Sequence, residues 1–323
     1  MKKLINKQYI LNSNDMLNYY ELENNKPILL ILHAQGTNST SFFKLVKKLN
    51  KDYHFILIDN YGHGKSSKNK EKYNLISIGN DIIEFINNKF KDKKINILGH
   101  SCGGLIASYI ASKLNNVNSL IIEDSPFFAS LGDNRFKTFN YLDLSSISYN
   151  FTKQNEIDDF VYYYFINQYA WKLFPIEHRD KIRNSLSKFV KKYRIKHPNK
   201  MLKVPFWPKK FLEVFRGLEE YDPYFGIAFY DDSFNKNVDY EKLLMDIKCN
   251  TLFLKARTTI DKNGTILGAL TDEQLNKVKS LVKKMDIKYF DCGHGIHTEL
   301  LKTYCKSINE FLKINNKICK SQF

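Results

Sequence analysis

The apolar run Ile95-Asn96-Ile97-Leu98 leads directly into Gly99-His100-Ser101-Cys102-Gly103, and Leu105-Ile106-Ala107-Ser108-Tyr109-Ile110 follows. The first run reads as a buried strand and the last as a helix, so the pattern G-x-S-x-G falls on a strand-to-helix turn. A serine held on so tight a turn projects its hydroxyl outward. The next amide and the helix N-terminus then lie where negative charge would develop during an attack. Glycines two residues to either side are needed because side chains there would collide with the neighbouring strand and helix. Ser101 is the candidate nucleophile. Cys102 is the poorer candidate: centred on it, the position two residues before becomes His100, too large for such a turn.

Three further landmarks stand in chain order around it. Pro27-Ile28-Leu29-Leu30-Ile31-Leu32 is continuously apolar, as a strand buried on both faces should be, and it ends in His33-Ala34-Gln35-Gly36. Phe55-Ile56-Leu57-Ile58-Asp59 runs into Asn60-Tyr61-Gly62-His63-Gly64-Lys65-Ser66-Ser67. Near the end, Ile287-Lys288-Tyr289-Phe290 runs into Asp291-Cys292-Gly293-His294. Together with the turn at Ser101, these segments resemble the α/β-hydrolase fold family. They match its His-Gly loop after the third strand, its D-x-x-G-x-G-x-S segment, and its final strand with a Gly-His turn. Ala34 departs from the family, which usually has glycine there. The resemblance implies an α/β fold with a mostly parallel central sheet and helices on both faces.

Alternation of strand-like and helix-like stretches gives the same architecture. An entry hairpin is expected over 7–22, turning at Asn12-Ser13-Asn14-Asp15. Strands are expected at 27–33, 54–59, 95–99 and 118–123, with helices near 40–49, 76–90 and 103–114 between them. The alternation stops at Ser125 and resumes at Thr251-Leu252-Phe253-Leu254. Residues 126–245 hold 28 of the 46 aromatic residues. Among their runs are Tyr162-Tyr163-Tyr164-Phe165, Pro205-Phe206-Trp207-Pro208 and Tyr221-Asp222-Pro223-Tyr224-Phe225. The expectation is a core made of 1–125 and 246–323, with a helical cap inserted at 126–245. Most cap aromatics should form its own small core, and the rest should wall an apolar pocket above Ser101.

Five scattered cysteines without a C-x-x-C pair fit a reducing cytoplasm better than a disulfide scaffold. The opening Met1-Lys2-Lys3-Leu4-Ile5-Asn6-Lys7-Gln8 is basic but has no apolar signal-type region, and no stretch approaches the length of a membrane span. A cytoplasmic chain is expected. The net charge of +16 admits an anionic partner. However, the densest basic segment, Lys188 to Lys200, carries no nucleic-acid module, so the charge reads as solvated surface and nucleic acid is not expected.

A serine hydroxyl needs a base within hydrogen-bond reach. His294 is the expected base, since it follows a strand and a turn-forming glycine and lies C-terminal to Ser101, as the family order Ser-acid-His implies. His297 reads as a capping or packing residue, while His33 and His100 should lie near the site. The resemblance places the acid after the seventh strand or, less often, the sixth. Asp261 is the lone carboxylate in Arg257-Thr258-Thr259-Ile260-Asp261-Lys262-Asn263-Gly264 and is the expected acid. Asp124, closing Leu120-Ile121-Ile122-Glu123-Asp124, is the alternative. Asp272 reads as a helix cap and Asp59 as a brace for the Tyr61–Ser66 loop. Backbone amides of Gln35 and Cys102 should form the oxyanion hole.

No cofactor is expected. A metal at Cys292, His294 and His297 is conceivable, but no second ligand cluster accompanies it. The resemblance implies a Ser-His-Asp hydrolase working through an acyl-enzyme on small or medium uncharged apolar esters, lactones or thioesters. Two alternatives stand beside it: a C–C bond hydrolase of a diketone-like substrate, and a ligand-binding protein of the same fold without useful turnover.

Overall fold

The computed structural model describes residues 3–205 and 212–320. Met1 and Lys2 of the basic opening, and Phe206, Trp207 and Pro208 of the aromatic run, lie outside the described residues. The strands are β1 (Ile5–Ile10), β2 (Met16–Leu22), β3 (Ile28–Leu32), β4 (His54–Ile58), β5 (Ile95–His100), β6 (Val117–Glu123), β7 (Asn250–Ala256) and β8 (Met285–Phe290). They form one sheet in the order β1-β2-β4-β3-β5-β6-β7-β8. The β1–β2 and β2–β4 pairs are antiparallel and all the others parallel. The entry hairpin turns where Leu11 N–H donates to Asp15 O at 2.9 Å and Asn14 takes a positive φ of 66°.

Helices α1 (Phe43–Leu49), α2 (Leu75–Phe90) and α3 (Cys102–Lys113) connect the central strands. Residues alternate along β3: Leu30 and Leu32 pack with α2 and α3, whereas Leu29 and Ile31 pack with α1. A strand whose residues all face apolar neighbours must read as an unbroken apolar run, which is why β3 stands out in the sequence. Between β6 and β7 run α4 (Ser146–Phe151), α5 (Phe160–Asn167), α6 (Ile176–Lys196), α7 (Pro223–Tyr230) and α8 (Tyr240–Met245), with several 3₁₀ turns. After β7 come α9 (Asp272–Leu281), the short α10 (Ile296–Glu299) beyond β8, and α11 (Leu301–Lys320). α11 lies on the α1 side of the sheet, through Tyr304, Ile308 and Leu312. Among the described residues no helix is long and apolar enough to cross a membrane.

Aromatic rings of the inserted segment pack mostly on one another. Phe165 meets Trp171 edge-on at 5.4 Å, and Phe229 stacks on Phe234 at 4.3 Å. The segment is tied to the strand ends below it. Tyr73 Oη donates to Asp222 Oδ2 at 2.6 Å, and Asp222 N–H donates to Gly62 O at 2.7 Å. Asp59 braces the Tyr61–Ser66 loop as expected: its carboxylate accepts from Lys65 N–H and Asn18 Nδ2, and also from Ser39 N–H.

Candidate active site

Ser101 joins the end of β5 to the start of α3 with φ 54° and ψ −120°. A side chain in that region stores roughly 1–3 kcal/mol of strain and persists only where its surroundings hold it. Here β6 does the holding. Ser101 N–H donates to Glu123 O at 2.9 Å, and Ser125 Oγ donates to Ser101 O at 2.7 Å. The flanking glycines are required by contact. A Cβ on Gly99 would fall 2.2 Å from Gly103 O, and one on Gly103 would fall 2.4 Å from Leu32 O.

His294 sits in the turn after β8, and its Nδ1 lies 2.7 Å from Asp124 Oδ2. Asp124 is fully buried one residue beyond β6, with a positive φ of 41° that swings its carboxylate toward β8. Its Oδ1 accepts from Ala256 N–H at 3.3 Å and lies 3.9 Å from the buried Lys255 Nζ. A carboxylate partner fixes the ring with Nδ1 protonated and leaves Nε2 as the basic nitrogen. Burial pulls the His294 pKa down. The hydrogen bond and charge of Asp124, with the charge of Glu123, outweigh it, so the pKa stands above the ordinary value.

The expectation for Asp261 is corrected by this geometry. After β7 the chain makes a small hairpin, closed by Asp261 N–H to Thr265 O and Leu267 N–H to Thr259 O, with Asp261 at its tip. Its carboxylate is occupied there: Oδ1 accepts from Asn263 and Thr265 N–H, and Oδ2 accepts from Tyr169 Oη at 2.7 Å. The Tyr169 and Thr265 bonds hold its pKa down to about 2. Asp261 therefore ties the hairpin to the inserted segment and does not meet His294. The carboxylate that does is Asp124.

Two buried histidines shape the loop after β3. His33 Nε2 accepts from Asn60 N–H at 2.9 Å, so its Nδ1–H donates to Ala34 O at 2.8 Å. His63 Nε2 accepts from Gly36 N–H at 3.0 Å, and its Nδ1–H donates to Tyr61 O. Burial lowers both pKa values, which keeps these rings neutral and their acceptor nitrogens available. The Ala34-Gln35-Gly36 path is thus held from both ends without glycine at position 34. Cys102 opens α3, so its amide has no partner within the helix. Its thiol is buried, and that burial pushes it up to about 12. Such a thiol is a poor source of thiolate near neutrality.

A second buried carboxylate, which the sequence reading did not assign, lies directly behind the first. Glu123 Oε1 accepts from His297 N–H at 3.0 Å and pairs with His297 Nδ1 at 2.8 Å, while Tyr304 Oη donates to Oε2 at 2.6 Å. Burial opposes its charge, yet the two nearby histidines and the hydrogen bonds prevail and bring its pKa to about 2. His297 thus pairs with Glu123 rather than serving as a simple cap. His100, Glu123 and His297 each bring a potential ligand atom within 4.8 Å of the others. Both Glu123 oxygens are already engaged by N–H and O–H donors, so the set reads as a hydrogen-bond group rather than a metal centre, with His297 Nε2 buried and without a hydrogen-bond partner.

Ser101, Cys102, Gln35 and His294 line one cavity of about 540 Å³. Leu144, Tyr164, Val214 and Phe229 cover it from the inserted segment. Arg135, Asn140 and Gln168 also face it, so its wall is more polar than the aromatic content of the segment suggests. The size lies within the range of small-molecule sites.

The family model described as "alpha/beta hydrolase fold" matches residues 27–299, and the chain belongs to this family. It is 30% identical over 118 residues to a "Serine hydrolase-like protein" of Homo sapiens, covering 36% of this chain and 58% of that protein. It is also 30% identical over 116 residues to a pimeloyl-[acyl-carrier protein] methyl ester esterase of Proteus mirabilis, covering 35% and 42% respectively. The chain therefore spans less than two thirds of the length of these curated relatives. Among solved structures, an esterase from Exiguobacterium antarcticum superposes with a TM-score of 0.65 at 15% identity, covering 96% of this chain and all of that one.

Proposed function

We propose that the protein is a serine hydrolase working through an acyl-enzyme. The observation that carries this reading is the 2.7 Å contact between His294 Nδ1 and the buried Asp124, in the cavity that also holds the strained Ser101. Ser101 is the nucleophile and His294 Nε2 its base. Asp124 orients the ring and stabilises its protonated form. Ser101 Oγ attacks the acyl carbon while its proton passes to His294. The amides of Cys102 and Gln35 donate to the oxyanion, each contributing roughly 3 kcal/mol to the transition state. His294 then returns the proton to the leaving group. In the second half-reaction it takes one from water, which cleaves the acyl-enzyme and frees Ser101.

Residues 126–245 act as a cap over residues 1–125 and 246–323, closing a site sized for small or medium esters, lactones or thioesters. The Proteus mirabilis relative, a methyl ester esterase by its name, supports ester cleavage. The test is turnover of short p-nitrophenyl esters. Wild type is expected to hydrolyse acetate and butyrate esters and Ser101→Ala to fall to background while remaining folded. Equal rates in the two proteins would overturn the reading.

A further inference from the structure

We propose that Glu123 is a positioning residue for His294: through His297 and Tyr304 it fixes the turn that carries the base. This rests on the reading of Ser101, His294 and Asp124 given above. Its own support is a separate group of contacts on the other side of the β6 end. Glu123 closes β6 and Asp124 lies one residue beyond it with a positive φ of 41°, and the two carboxylates take different histidines. Asp124 takes His294 itself. Glu123 takes the N–H and Nδ1 of His297, three residues further along, in α10. It also accepts from Tyr304 Oη of α11. Both ends of the Gly293-His294-Gly295 turn are then defined, since His100 Nε2–H donates to His294 O at 3.0 Å from the other side. Phe42 stacks on the His297 ring at 4.2 Å and keeps it from rotating.

The charged and titratable groups around His294 are few. Asp124 and Glu123 come from the β6 end, Lys255 from β7, His100 from β5, Cys292 from the turn after β8, and His297 with Glu299 from α10. The Arg257–Asp291 pair lies at the exposed rim. Burial drives His100 down to about 3, so it stays neutral through the working range. Lys255 opposes protonation of His294, whereas Asp124 and Glu123 favour it. One negative charge removed from this set lowers the His294 pKa, so the acid limb of activity moves to lower pH.

The experiment compares wild type with E123Q, Y304F and H297Q in kcat, KM and the pH profile of kcat/KM. Folding is checked by circular dichroism. E123Q is expected to lower kcat about tenfold with little change in KM and to move the acid limb down by about one pH unit. Y304F and H297Q keep the carboxylate but loosen the turn. They are expected to lower kcat without moving the limb downward. An E123Q enzyme with the wild-type limb and kcat overturns the proposal. Should E123Q not fold, wild-type kcat in both Y304F and H297Q overturns it. Fluorophosphonate labelling of the wild-type enzyme keeps the two readings apart. A wild type that does not label defeats the serine mechanism, whereas a labelled wild type with unaltered variants defeats only the role of Glu123.

Discussion

Replacing Asp124 by Asn separates the two carboxylates that the sequence offers as the acid. The side chain is fully buried, and its Oδ2 meets His294 Nδ1 at 2.7 Å. Asn retains the shape and one oxygen, which can still accept from Ala256 N–H. It presents an NH₂ group to His294 if that oxygen stays on Ala256, so Nδ1 must become the acceptor and the ring proton moves to Nε2. Nε2, the nitrogen proposed as the base, then has no lone pair to offer. The imidazolium formed during attack also loses its counter-charge. Together these effects lower kcat by about 10⁴, or about 5 kcal/mol of barrier. Asp261→Asn should change kcat by no more than a few-fold, because its oxygens serve a surface hairpin and Tyr169. The assay is steady-state hydrolysis of p-nitrophenyl butyrate, with thermal melts to show that both variants are folded. Retention of about a tenth or more of the wild-type kcat in Asp124→Asn would refute the reasoning. So would a larger loss in Asp261→Asn.

Activity should fall as pH drops through the His294 pKa, and the midpoint of kcat/KM should lie above about 6.5, the ordinary imidazole value, because Asp124 raises it. The stability that His294 contributes runs the opposite way with pH. It is fully present below the unfolded value and is lost as pH rises through the raised folded value, which denaturant titrations at pH 6 and pH 8.5 would read. Cys102→Ala should keep most of the activity, since the thiol is pushed up to about 12 and the amide is unchanged; loss of turnover with an intact fold would point to chemistry at sulfur. Gly103→Ala should abolish activity and lower the melting temperature, because the new Cβ meets Leu32 O and His33 O at under 3 Å; wild-type behaviour would show that the elbow is looser than these contacts require.

The parallel sheet and the serine turn were legible because local chemistry specifies them. β3, β4 and β5 are mostly apolar and almost wholly buried, and Gly99 and Gly103 are forced by backbone approach. The acid was harder to read because it depends on where a loop goes. Asp261 follows β7, as the family pattern suggests, but the Thr259–Leu267 hairpin carries it away to Tyr169. A signal for Asp124 was present: the apolar run Leu120-Ile121-Ile122 closes β6 at Glu123, and a second carboxylate follows at once. Burying both demands partners, and the only question was which ones. The Glu123–His297–Tyr304 group joins residues 174 and 181 positions apart, a separation at which strand or helix periodicity carries no information. The aromatic content of 126–245 likewise says that a second core exists. It does not say which rings reach the cavity, and most of them pack on each other.

The most direct test of the account is the site at which a fluorophosphonate reacts. The intact protein, treated at neutral pH and digested, is expected to carry the phosphonyl group on the peptide containing Ser101. Ser101→Ala should carry none, and Asp124→Asn should label far more slowly than wild type. A label on any other residue, or a wild type that stays unmodified while folded, would contradict the claim that Ser101 is activated by His294 and Asp124.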